Sequence, residues 1–272
     1  MDGAGVRLPV QTAMQVEVEG DRAVSILLKS QAERESMRVA GHIVAEVLAE
    51  MRVAVRPGIT TAALDAIAVA TLNRVGAQAS FLGYRGYPAS ICASINHEIV
   101  HGIPGKRELQ EGDIVSLDVG AFYQGWHGDS AVTVAVGRVS AETERLLKVT
   151  ENALYRGIAA ARAGNSVRDI SRAIQQFAEG AGFSLVRHYG GHGIGRSMHE
   201  DPQILNYVEP GYPNSVLQAG MVIAIEPMLN LGAKETRVLA DQWTVVTVDG
   251  RYSAHFEHTV AITEGDADIL TL

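Results

Sequence analysis

One cysteine, Cys92, is the only thiol in this chain of 272 residues. That excludes an intramolecular disulfide framework and any cysteine-rich zinc or iron–sulfur site. Long apolar runs are missing too: none approaches the ~18 residues that a membrane-spanning helix requires. The start, Met1-Asp-Gly-Ala-Gly-Val-Arg, has no basic region leading into an apolar one, so no signal peptide is expected. Positive charge is scarce, with 23 Lys and Arg against 31 Asp and Glu, a formal net charge of −8. A chain this acidic has no general attraction for nucleic acid or for an anionic membrane. Core material is plentiful. Hydrophobic residues make up 47 % of the chain and charged residues 20 %, which argues against disorder. The expected class is a soluble, cytoplasmic globular protein.

Residues 1–29 carry no strong period and read as an N-terminal arm or edge strand. Ser30 and Glu33 then form a helix-starting S-x-x-E box. Behind it Met37, Ala40, Ile43, Val44, Val47, Leu48 and Met51 recur at helical spacing as far as Pro57-Gly58. A second helix is expected from Thr60 or Thr61 to Gly76. The segment 114–136, with Gln124-Gly125 at its centre, reads as a β-hairpin. Helices follow over 140–163 and 166–179. Strands are expected over Met221–Met228, Trp243–Val248 and Ser253–Thr263, with Asp249-Gly250 as a tight turn.

The chain also repeats itself. Leu109-Gln-Glu-Gly-Asp-Ile-Val-Ser-Leu-Asp118 lines up with Leu217-Gln-Ala-Gly-Met-Val-Ile-Ala-Ile-Glu226, and Arg56-Pro-Gly with Arg162-Ala-Gly. His101-Gly-Ile and His192-Gly-Ile precede the two longer matches. Residues 30–272 are therefore expected to form one domain of two similar halves, about 30–139 and 140–272, with a cleft between them.

Acids stand where acids are unwelcome. Asp118 ends the apolar run Ile114-Val-Ser-Leu, and Asp129 lies early in the return strand. A two-residue turn at Gln124-Gly125 faces Asp118 with Ala131 and Asp129 with Gly120. The two carboxylates are then diagonal neighbours on one side of the sheet, ~7–8 Å apart at the backbone. They would repel and lose hydration unless a cation sat between them, and Gly120 is expected to leave room for one. Glu226 closes Val222-Ile-Ala-Ile in the same way, and Glu257 lies within Ala254-His-Phe-Glu-His-Thr-Val. Four strand acids in symmetric pairs describe an oxygen-rich dinuclear metal site.

Histidines extend the set. His192 sits in Gly190-Gly-His-Gly-Ile-Gly, which lacks the spacing and the following Lys-Ser or Lys-Thr of a phosphate loop. One imidazole added to carboxylates suits Mn, Fe, Co or Zn better than Mg or Ca. His101 and His199 are further cleft candidates. His42, His97, His127, His188, His255 and His258 are expected on the surface or behind the site.

Several stretches together resemble a methionine aminopeptidase of the shorter, type I kind. They are Phe81-Leu-Gly-Tyr-Arg-Gly-Tyr-Pro, Ser94-Ile-Asn-His-Glu-Ile-Val-His-Gly-Ile-Pro, Asp113-Ile-Val-Ser-Leu-Asp-Val and Trp126-His-Gly-Asp-Ser, then Tyr189-Gly-Gly-His-Gly-Ile-Gly-Arg, His199-Glu-Asp-Pro, Ile225-Glu-Pro-Met and Phe256-Glu-His-Thr. They span the chain from about residue 30 onward in the family's order. The resemblance implies the pseudo-two-fold "pita-bread" α+β fold, an antiparallel sheet with flanking helices. It implies Asp118, Asp129, His192, Glu226 and Glu257 as ligands of two divalent metals, Asp129 and Glu257 bridging both. His101 and His199 match substrate-contacting histidines, and Glu226 a proton carrier. Tyr84, Tyr87, Cys92, Met198 and Trp243 match the methionine pocket, where Met198 replaces a common Phe.

The implied reaction is hydrolytic removal of the N-terminal methionine from peptides and newly made proteins whose second residue is small, by a cytoplasmic monomer. Neither a membrane nor a nucleic acid is an expected partner. Two rivals share the fold. A proline-directed, prolidase-like peptidase usually has a sizeable extra N-terminal domain, which the first 28 residues do not supply. A metal-free peptide- or protein-binding relative would have a broken ligand set, whereas all five positions are filled here.

Overall fold

A computed structural model describes residues 25–272. Most of the expected N-terminal arm, residues 1–24, lies outside the described residues. Four helices form where capping and periodicity predict them: α1 (Gln31–Ala54), α2 (Thr61–Val75), α3 (Ala141–Ala160) and α4 (Val167–Gly180). Ser30 and Glu33 close a full capping box on α1, Thr60 caps α2, and Gly76 ends α2 in the left-handed region. Ser140 caps α3 and Ser166 caps α4. No helix among the described residues is long and apolar enough to cross a membrane.

One nine-stranded sheet runs through both halves of the chain. Its strands are β1 (Gln78–Ala79), β2 (Cys92–Ile95), β3 (Ile114–Tyr123), β4 (Trp126–Ala135), β5 (Gly191–Gly193), β6 (Glu200–Ile204), β7 (Val222–Ile225), β8 (Glu257–Ala261) and β9 (Asp268–Ile269). The order is β1-β3-β4-β8-β7-β5-β6, with β2 also on β3 and β9 also on β8, and every pairing is antiparallel. Two hairpin-like pairs, β3-β4 and β7-β8, thus meet back to back at the β4–β8 seam.

The β3–β4 hairpin has the register expected from its turn. Tyr123 pairs Trp126, Asp118 pairs Ala131 and Gly120 pairs Asp129. Gln124 and Gly125 both have positive φ, +48° and +86°, the conformation that matches the twist of a two-residue hairpin. The later strands are shorter than expected. Glu226-Pro227 separates β7 from a strand over Met228–Asn230, and Phe256 separates Ser253–His255 from β8. These outlying pieces join Ser184–Leu185 in a separate three-stranded sheet. The Asp249-Gly250 turn is present, but the strands on its two sides belong to different sheets.

Two backbone hydrogen bonds join matching positions of the similar stretches. Gly58 N–H donates to the Leu109 carbonyl at 2.8 Å, and Gly164 N–H donates to the Leu217 carbonyl at 2.9 Å. Two main apolar cores flank the sheet. Val44, Val47, Met51, Leu64 and Leu72 of α1 and α2 pack on Val115, Leu117 and Val119 of β3. Leu146, Leu154, Ile170 and Ile174 of α3 and α4 pack with Ile223 and Ile225 of β7. The histidine match does not follow this symmetry. The strand beside β3 is β2, carrying Cys92, and the strand beside β7 is β5, carrying His192. His192 is therefore related by position to the Cys92 strand and not to His101.

Hydroxyls reinforce the seam. Thr259 Oγ1 accepts the Asp129 backbone N–H at 3.1 Å and donates to the Asp129 carbonyl at 2.7 Å. Thr133 Oγ1 does the same for His255, both at 2.8 Å. Thr259→Val keeps the side-chain volume but strands a buried N–H and a buried carbonyl. Loss of such partners costs about 1–3 kcal/mol. Urea unfolding of Thr259→Val should show a loss in that range, and an unchanged midpoint would remove the clamp from the account of the seam.

Candidate active site

The cleft between the halves has a volume of about 620 Å³, large enough for a short peptide end. Its floor is made by strands. Asp118 comes from β3, Asp129 from β4, His192 from β5, Glu226 from the chain just after β7, and Glu257 from the start of β8. All five line this cavity, together with His101, His199, Tyr84, Tyr87, Cys92 and Trp243.

The tightest cluster is Asp129, His192 and Glu257, each offering a ligand atom within 4.8 Å of the others. His192 Nε2 lies 3.8 Å from Asp129 Oδ2 and 3.8 Å from Glu226 Oε1. His192 Nδ1 is 2.8 Å from the Gly193 carbonyl oxygen. A carbonyl only accepts, so Nδ1 carries the proton and the Nε2 lone pair faces the acids. Glycine flanks this histidine because neighbouring strands are close. A Cβ on Gly191 would collide with the Ala224 carbonyl oxygen, and one on Gly193 with that of Asp201.

Burial sets the electrostatics. Desolvation first, then the neighbouring carboxylates, push Asp129 and Glu257 well above the ordinary carboxylate range. Desolvation pushes Asp118 up to about 7. Asp118 Oδ1, Asp129 Oδ1 and Glu257 Oε1 are buried without a hydrogen-bond partner. Unpaired buried oxygens are costly, and two of these acids, Asp129 and Glu257, cluster with the His192 imidazole in an arrangement that fits a cation. The site can hold a metal.

The histidines above the floor are neutral. Burial lowers His101 to about 4 and holds His199 far below its usual range, with the nearby His192 imidazole adding to the effect on His199. His199 Nδ1 lies 2.9 Å from the Tyr84 hydroxyl, and the two rings stack at 5.2 Å. His101 has φ +59° and presents its ring edge-on to Tyr189 and Trp243. Left-handed backbone at a residue other than glycine is costly and gathers at functional sites. On that side Tyr87, Ala89 and Cys92 form an apolar pocket walled by Trp243, whose ring meets Tyr87 edge-on at 5.0 Å. Burial holds the Cys92 thiol protonated, and Asp118, its cross-strand partner, adds to this.

Two expectations need correction. Met198 does not line the cleft. It is buried with Met37, Trp126 and Ile194, behind Phe81 and Tyr84. Tyr84 lines the same cavity as Tyr87, Cys92 and Trp243, and is engaged there with His199. Gly120 leaves no room for a cation, because a Cβ there would meet Ser80 Cβ at 2.7 Å and Phe81 at 2.9 Å. Glycine is needed for the close passage of that segment.

The residues alone left His255 between the surface and a place behind the site. It is buried with neither ring nitrogen hydrogen-bonded, and its Nε2 is 3.6 Å from Glu226 Oε2. Its position two residues before Glu257 was the available signal, since alternate residues of an extended segment share a face. Tyr189, which abuts His101, was unmarked.

An open cleft floored by desolvated acids and an imidazole, on a sheet of two matching halves, is the framework of a metal-dependent hydrolase. The chain belongs to metallopeptidase family M24, whose family model matches residues 35–264. It is 52 % identical over 248 residues to methionine aminopeptidase 1 of Bacillus subtilis, covering 90 % of this chain and 99 % of that protein. It superposes on the crystal structure of methionine aminopeptidase from Rickettsia prowazekii with a TM-score of 0.89 at 40 % identity, covering 91 % of this chain and 100 % of that one. The Xaa-Pro dipeptidase of Bacillus anthracis shares the fold, with a TM-score of 0.74 at 22 % identity over 90 % of this chain and 62 % of that one. The α+β architecture is thus the pita-bread fold.

Protons and a cation should compete for this site. An unfolded Asp has a pKa of about 3.9, and the folded, metal-free Asp118 is raised to about 7. Between those values the metal-free fold holds a proton that the unfolded chain releases, so its stability falls as pH rises. A bound cation replaces that proton. The rise in melting temperature on adding Mn²⁺ or Co²⁺ should therefore grow from pH 5.5 to 7.5. A rise that is constant or shrinks over that range would contradict the assignment.

Proposed function

We infer that this protein hydrolyses the first peptide bond of polypeptides that begin with methionine. The observation that carries the reading is the placement of a desolvated acid–imidazole cluster beside a charge-free pocket of Tyr87, Cys92 and Trp243. The similarity to proteins named methionine aminopeptidase supports it.

Asp118, Asp129, His192, Glu226 and Glu257 would hold two divalent cations, of Mn, Fe, Co or Zn. Bound there, such cations supply Lewis acidity that polarises a carbonyl and acidifies a water. The protein's own groups do the rest. Glu226 accepts the proton of the attacking water and passes it to the departing amine. The Tyr84 hydroxyl donates to His199 Nδ1, which leaves a proton on Nε2 to donate to the carbonyl oxygen as negative charge gathers there. His101 hydrogen-bonds the amide on the leaving side. Because both imidazoles are kept neutral, they act as oriented donors and add no cation to the site. The natural substrates in this reading are newly made proteins with a small second residue, met in the cytoplasm by a monomeric enzyme.

His199→Ala should stay folded and keep its metal content while kcat falls on the order of 100–1,000-fold, the usual cost of losing one such donor. Metal loss in step with activity would move His199 into the ligand set.

Selectivity gives an independent check. Burying a methionine side chain is worth about 1.5–3 kcal/mol, roughly a ten- to hundredfold preference over N-terminal alanine. Peptides beginning Met-Gly, Met-Ala or Met-Ser should be cut well, and those beginning Met-Lys or Met-Leu poorly, when kcat/KM is compared across the set. Efficient removal of N-terminal Ala or Lys would leave a metallopeptidase without methionine selectivity.

A further inference from the structure

His199 sits in an irregular segment, residues 195–199, with no regular hydrogen-bonded structure to hold it. A donor that must meet a developing charge needs fixed geometry, and a misplacement of about 1 Å can cost on the order of 100-fold in rate. The structure offers an anchor. Glu200, the next residue, forms an ion pair with Lys29 at 2.6 Å, and the two side chains are only 7 % and 5 % exposed. Every other Lys or Arg ion pair among the described residues has at least one partner that is 44 % exposed or more. The second Glu200 oxygen accepts the Ser197 N–H at 3.2 Å, closing the segment on itself.

Lys29 is held from its own side. Its backbone N–H donates to the Gly220 carbonyl at 2.7 Å, and its carbonyl accepts from Arg34 Nη1 at 2.8 Å. Gly195 lies beneath the pair, and a Cβ there would meet Glu200 Oε1 at 2.6 Å and Lys29 Cε at 2.7 Å. Lys29 itself does not line the cleft. Burying two charges gains little net stability compared with apolar packing, so stability alone does not account for the pair.

We propose that Lys29 is a positioning residue: through its buried ion pair with Glu200 it fixes the segment that aims His199 at the substrate carbonyl. The inference rests on His199 acting as the carbonyl donor. It makes the residues just before α1 part of the catalytic apparatus.

The test is a double-mutant cycle on the metal-loaded enzyme with a Met-Ala-Ser peptide. Lys29→Met keeps the apolar stem and removes the charge, and Glu200→Gln keeps the shape and weakens the pair. Each should lower kcat roughly ten- to hundredfold, with little change in KM and unchanged metal content. In a His199→Ala background neither substitution should lower kcat further, because the group they position is gone. An equal loss in that background, or a loss that follows metal content, would overturn the proposal. Unchanged kcat in both variants beside a damaged His199→Ala would overturn it while leaving the His199 assignment intact. Full activity in His199→Ala would instead overturn the role of His199, and this proposal with it.

Discussion

Four carboxylates and an imidazole brought out of water on adjoining strands are the constraint on which the rest of this molecule depends. Isolated buried anions are not tolerated in a low-dielectric interior. The fold must therefore hold them against their own repulsion until protons or cations neutralise them. The β4–β8 seam meets that demand. Glu257 pairs with Ala131, and Thr259 fastens the Asp129 backbone across the same junction. Ser130 Oγ donates to the Glu257 carbonyl at 2.5 Å. The repelling side chains thus stand on backbone tied across the seam, so their separation is set by the sheet.

Much of this was legible in the sequence, and the reasons are local. The Asp118–Asp129 relationship followed from the Gln124-Gly125 turn, because a two-residue turn fixes register and register fixes which side chains share a face. The capped helices followed from Ser30, Thr60, Ser140 and Ser166. What failed depends on contacts far apart in the chain. The break between Ser253–His255 and β8 exists because two different sheets claim the two pieces. Gly120 was misread because Ser80 and Phe81, which fill the space over it, come from another part of the chain. Met198 was assigned to the pocket by its place in a motif, and a one-residue difference in direction sends it behind Tyr84 while His199 faces the cleft.

The histidines illustrate how burial selects chemistry. A cleft floored by acids would be expected to draw protons onto its imidazoles. Desolvation outweighs that attraction at His101 and His199, where it is the leading cause of the downward shifts. A neutral ring is a better arrangement here for two reasons. It does not compete electrostatically with a metal for the same acids, and it keeps one nitrogen free to accept an orienting bond. Tyr84 supplies the group that can make that bond at His199.

The near symmetry of the scaffold also accounts for the asymmetry of the cleft. β2 flanks β3 as β5 flanks β7, so the two flanking strands approach the acid cluster from related directions. On β5 the inward position is His192, an imidazole whose free nitrogen faces the acids. On β2 the corresponding wall is Cys92, small and protonated, backed by Tyr87 and faced by Trp243. One flank turns an imidazole lone pair toward the acids and the other adds apolar space. A repeated architecture supplies paired acids at its centre. Single differences in the flanking strands then give it a direction, with apolar space on one side and an imidazole on the other.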